Sequence, residues 1–116
     1  MRFCYMKESD KQALEWIITY CNRIEEHVSI FGDDEELYKT NKQFQDACSL
    51  VIIQIGEQVG RLSDEFKKEH NNIPWRDIKD MRNIHAHDYQ RVMFDIAWET
   101  IKYDLPQLKS YIEGLI

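Results

Sequence analysis

Arg82, Asn83, His85, His87 and Tyr89 fall within one eight-residue stretch, and their side chains have complementary chemistry. Arginine stays protonated and holds phosphate oxygens with a planar fork of donors. Histidine is the side chain best placed to take and give protons near neutral pH. Together they suit attack on a phosphodiester: one group to stabilise negative charge, one to move a proton, and an amide at Asn83 to orient either. On a solvated helix face the same residues need no function at all, so the spacing by itself decides little.

Helix geometry sharpens the question. Residues five apart on an ideal helix stand about 140° apart around the axis, so Arg82 and His87 do not share a face, whereas Arg82 and His85 do. Either the helix loosens after Asn83 and turns His87 back over Arg82, or the site forms between two copies of the chain. Asp77, five residues before Arg82, reaches it only from the adjacent face. His85-x-His87-Asp88 also contains metal-ligand types, but a third ligand is missing nearby and the two rings of H-x-H on a helix point apart, so no metal is expected. His85 is expected as a second titrating group in the cleft or as a core histidine satisfied by a backbone carbonyl.

The stretch Arg82-Asn83-x-x-x-His87-x-Tyr89 follows Ile73-Pro74-Trp75-Arg76-Asp77 and precedes Asp95-x-x-Trp98-Glu99-x-x-x-x-Asp104-Leu105-Pro106. In these motifs and their spacing, from about Asp10 to the end, the chain resembles the HepT-like branch of the HEPN family. That resemblance implies an all-α bundle and a homodimer with its paired motifs in one cleft. It also implies metal-independent RNA cleavage as the toxin of a bacterial toxin–antitoxin pair. Arg82 and His87 would be the catalytic pair, with Asn83 and His85 in support. The implied partner is a minimal nucleotidyltransferase antitoxin that transfers AMP to Tyr89, making an O-AMP-tyrosine that fills the phosphate site. His85 departs from the family pattern, where an apolar or small residue is expected. The alternative is a non-catalytic helical module that binds nucleotide or RNA, or that serves only as partner of the nucleotidyltransferase.

The elements that must carry these residues are helical. Apolar residues recur at spacings of three and four through Leu14, Ile17, Ile18, Cys21, Ile24, Val28 and Phe31, a helix opened by a Ser9/Gln12 capping box and closed at Gly32. Asp33-Asp34-Glu35-Glu36 opens a short turn through Tyr38, where negative charge complements the helix dipole. It lacks the glycine and oxygen-ligand pattern of a calcium loop. Thr40 or Asn41 starts a second long helix whose apolar residues spill beyond one face at Leu50 and Ile53, which places it centrally in the bundle or at a dimer interface. Gly56 and Gly60 leave a smooth patch for a close helix approach. Ser63 caps Asp64–Glu69, and Pro74 opens the motif helix, with Trp75, Ile78, Met81 and Ile84 or His85 inward. The last helix starts near Val92 and must kink or restart at Pro106. The expectation is one domain over residues 1–116, a four-to-five-helix bundle.

Composition bounds the rest. Gly 4 and Pro 2 are too few for a turn-rich β architecture. The N-terminus carries no apolar run of signal-peptide length and no stretch spans a membrane, so a cytoplasmic protein is expected. Cys4, Cys21 and Cys48 are odd in number and far apart, which suits reduced, buried thiols. Carboxylates on the long helices (Glu25, Glu26, Asp46, Glu57) lack the paired Glu-x-x-His of a di-iron bundle. Net charge is −6, unfavourable for non-specific nucleic-acid affinity, yet Arg76, Lys79, Arg82 and Arg91 cluster with His85 and His87. A basic cleft on an acidic body reconciles the two, and an acidic surface equally suits a protein partner.

Overall fold

The computed structural model describes residues 6–116; Cys4 lies outside the described residues. The order is α1 (Glu8–Phe31), α2 (Glu35–Thr40), α3 (Lys42–Arg61), α4 (Asp64–Glu69), α5 (Trp75–His87), a 3-10 turn (Tyr89–Arg91), α6 (Phe94–Glu99), a π-helical turn (Thr100–Asp104) and α7 (Leu105–Glu113). The fold is all-α. Three long helices and the continuous α6–α7 rod make the bundle, with α2 and α4 as short connectors.

Local chemistry sets most boundaries. The side chains of Asp34, Asn41 and Ser63 accept hydrogen bonds from the amides of Leu37, Phe44 and Phe66, capping α2, α3 and α4. Gly32 ends α1 at φ 124°, a backbone conformation that side-chain-bearing residues avoid. The start of α1 differs from expectation. The helix begins at Glu8, one residue before Ser9, with Lys7 at the cap and no side-chain cap bond. Pro106 lies in the first turn of α7, directly after the π-helical turn. The widened turn absorbs the proline's missing N–H and ring without breaking the rod.

α3 is the central element, packed along α1 on one side and α5 on the other. It contributes Phe44, Cys48, Val51, Ile52, Ile55 and Val59 to a core completed by Leu14, Ile17, Cys21 and Ile24 of α1 and by Trp98, Ile101, Leu105, Leu108 and Ile112. Phe44 meets Tyr38 and Trp98 edge-on, an arrangement favoured by the ring quadrupoles. Burial raises the Cys21 and Cys48 thiols to about 12, which keeps both protonated and unreactive.

One buried polar contact ties the ends of the chain's first half together. Asp10 is almost wholly buried, and its two carboxylate oxygens accept from the backbone N–H of Ser63 at 2.8 Å and its hydroxyl at 2.6 Å. The same hydroxyl caps α4. A carboxylate at this depth is tolerated because both oxygens are satisfied.

Candidate active site

α5 carries Arg82, Asn83, His85 and His87 of the central motif, and Tyr89 follows it. It stays helical through His87 and is closed by the Asp88 N–H bonding to the Ile84 carbonyl at 2.9 Å. The backbone does not loosen after Asn83. What closes the angular gap is the reach of Arg82, whose Nη1 lies 3.3 Å from His87 Nε2 and donates to Asn83 Oδ1 at 2.8 Å. A guanidinium only donates, so Nε2 is the acceptor in this contact. His87 and Asn83 are exposed, and Arg82 is partly buried.

The second half of the site comes from α3. Arg82 Nη2 donates to Glu57 Oε2 at 2.6 Å, and Asp77 is not the carboxylate that meets it. Gly56, one residue earlier, lies directly beneath the arginine stem: a Cβ there would come within 2.2 Å of Arg82 Cβ. Gly56, Glu57, Gly60, Arg61, Lys79 and Arg82 line an open recess of about 280 Å³. Three cations against one carboxylate make this recess basic on an acidic chain. Of the expected basic cluster, Lys79 and Arg82 line the recess. Arg91 pairs with Asp88 at 3.3 Å instead, and Arg61 joins from α3. Gly60 leaves its side of the recess open, with nothing within 4 Å of where a Cβ would stand.

His85 lies elsewhere. It is 5% exposed, and its Nδ1 shares a 2.8 Å hydrogen bond with the Ser49 hydroxyl of α3. Burial lowers its pKa to about 4, so it stays neutral across the physiological range. It therefore takes the place of an inward residue of α5 and leaves Ile84 exposed. It is the core histidine of the two alternatives, held by a serine hydroxyl rather than by a backbone carbonyl.

Tyr89, just past α5, donates its hydroxyl to Asp46 Oδ1 of α3 at 2.6 Å. Burial, followed by this carboxylate contact, raises its pKa. The phenol is thus held protonated with an acceptor for its proton already in place. Asp46, Ser49, Gly56 and Glu57, spaced along α3, each meet one residue of the motif or its flank. Nothing in the sequence pairs these positions with α5; Gly56 alone carried a signal, as a small residue suited to a close helix approach.

The family model described as Ribonuclease HepT-like matches residues 17–115. The chain belongs to the HepT-like ribonuclease family. It is 36% identical over 110 residues to the "Probable ribonuclease HepT" of Thermococcus cleftensis, covering 95% of this chain and 98% of that one. It is 35% identical over 107 residues to the "Gamma-glutamylcyclotransferase and putative RNase" of Methanocaldococcus jannaschii, covering 92% of this chain but 47% of that protein. The chain therefore spans about half of that two-part relative. No solved structure matches the chain significantly. Family membership supports a ribonuclease-type function. Among the described residues no helix is long and apolar enough to cross a membrane.

Proposed function

We propose that this HepT-like protein is a metal-independent ribonuclease, the toxin of a toxin–antitoxin pair, acting in the cytoplasm as a single domain without a cofactor. The observation that carries the reading is the 3.3 Å approach of Arg82 to His87 beside a basic recess. A ribose 2′-hydroxyl attacks the adjacent phosphorus and the bond from phosphorus to the 5′ oxygen breaks, leaving a 2′,3′-cyclic phosphate and a 5′-hydroxyl. His87 Nε2 takes the 2′-hydroxyl proton once Arg82 Nη1 turns from it to the phosphate, which frees the nitrogen's single lone pair. Arg82 holds the non-bridging oxygens as charge builds on them, and Asn83 keeps the guanidinium in place.

The leaving 5′ oxygen needs a proton, and one chain offers only one exposed histidine at this site, since His85 is buried and neutral. A homodimer supplies the second: His87 of one copy acts as base while that of the other acts as acid. Leu50 on α3 and Trp16 on α1 are large apolar side chains left 58% and 49% exposed, and covering them with a second copy would be favourable. Tyr89 is the acceptor of AMP from a minimal nucleotidyltransferase antitoxin. The adenylate adds a negative charge beside the site and occupies it, switching the toxin off.

A second reading is a helical module that binds nucleotide or RNA without cutting, or that serves only as partner of the nucleotidyltransferase. It is favoured by the pairing of Arg82 with Glu57 and by the net charge of −6. The two separate in one experiment: unmodified protein, its intact mass checked for adenylate, is incubated with total RNA in EDTA beside His87→Ala. Cleavage ending in cyclic phosphate by the wild type alone supports the ribonuclease. Absence of cleavage by both supports the binding module.

A further inference from the structure

The Arg82 guanidinium is far more constrained than a partly exposed arginine needs to be. Its Nη2 meets Glu57 at 2.6 Å, its Nη1 meets Asn83 at 2.8 Å, and its Nε is buried with no hydrogen-bond partner. Its stem crosses α3 at Gly56, where even one methyl group would collide with Arg82 Cβ and Cγ at 2.2 and 2.5 Å. Two consecutive residues of α3 therefore hold this side chain: Gly56 admits the stem and Glu57 grips the fork. Neither belongs to the Arg82–Tyr89 motif.

An isolated surface ion pair contributes little to stability, which argues against a stabilising role for Glu57. The same pair has a different effect when one member must point at a reacting group. A long arginine side chain samples many rotamers, and each departure from the productive one weakens transition-state stabilisation. Glu57 and Asn83 approach the guanidinium from different helices, one at Nη2 and the other at Nη1. The second N–H of Nη2 is left free to donate to a phosphate oxygen.

We infer that Glu57 is a positioning residue for Arg82, acting with the Gly56 gap to fix the guanidinium beside His87. The kinetic part of this inference rests on the ribonuclease reading; the structural part does not. Glu57 occupies one N–H of Nη2, and the second N–H of Nη2 remains for substrate without displacing it.

The test compares wild type, Glu57→Ala and Glu57→Gln on a short RNA in EDTA, with melting temperatures and nitrogen-detected NMR of the Arg82 side chain measured on the same samples. Glu57 is exposed, so both variants are expected to fold. The expected result is a kcat about tenfold lower in Glu57→Ala with KM within about twofold, and partial recovery in Glu57→Gln, which keeps an acceptor oxygen. The Arg82 guanidinium signal should show restricted rotation in wild type and free rotation in Glu57→Ala. An unchanged kcat, or a lower KM with kcat intact, would overturn the inference in favour of a competitor. If the wild type cuts no RNA, the ribonuclease reading falls and the NMR arm still decides: free rotation of Arg82 in the wild type overturns the positioning role, and rotation released only by Glu57→Ala sustains it.

Discussion

His85 and His87 are two residues apart on one helix and live in opposite worlds. The first is packed against Ser49 of α3, neutral, and part of the core. The second stands exposed against Arg82, which itself lines a basic recess. Two residues on a helix are about 200° apart, so one step past the next residue carries a side chain from the core to solvent. The chemistry open to each follows from that phase alone. A histidine can exchange protons with a substrate only where substrate can reach it, and burial that holds His85 neutral also removes it from the reaction.

His87→Ala is expected to lower RNA cleavage by about a hundredfold or more, the usual contribution of a general base, with the melting temperature unchanged. His85→Ala is expected to do the reverse, lowering stability and reducing activity only in proportion to the folded fraction. Kinetics and thermal melts on the two purified variants separate them, and a stable, inactive His85→Ala would erase the distinction.

The contrast sharpens with pH. The folded pKa of His85 is about 4 against an ordinary value of 6.5. The unfolded chain therefore binds a proton at His85 over a range where the folded chain does not. The sign follows: the contribution of neutral His85 to stability is fully present above pH 6.5 and is lost as pH falls toward 4. Between pH 7 and pH 5 the loss is about 2 kcal/mol, measurable by urea unfolding, and a flat profile over that range would show that His85 is solvated. A smaller effect is expected at the partner residue. Ser49→Ala leaves His85 Nδ1 without its hydrogen bond and costs about 1 to 2 kcal/mol at pH 7.

The two histidines also show how much of the molecule can be read from its sequence. Caps at Asn41 and Ser63, the acidic opening of α2 and the stop at Gly32 depend on neighbours a few residues away, and each was legible, whereas Pro106 was expected to kink or restart the last helix and a π-helical turn carries the rod through it instead. The start of α1 was not legible, because Ser9 has the composition of a cap while the chain enters the helix one residue earlier. At the site, Arg82, Asn83, His87 and Tyr89 were picked out together. The groups that hold them were not: Glu57 lies 25 residues from Arg82, Ser49 36 from His85 and Asp46 43 from Tyr89. Such pairings arise from the crossing of α3 and α5, and no local pattern encodes it. Helix phase correctly denied Arg82 and His87 a common face, yet missed that a flexible arginine spans the difference.

The most direct test of the account is a double-mutant cycle on RNA cleavage in EDTA with wild type, Arg82→Ala, His87→Ala and the double variant, each checked for fold and for absence of adenylate. Groups that act as a unit in one transition state lose activity non-additively. The account predicts that each single variant loses most of the activity and that the double variant is scarcely worse than either. Activity surviving in both single variants, or losses that simply multiply in the double, would contradict a shared Arg82–His87 site.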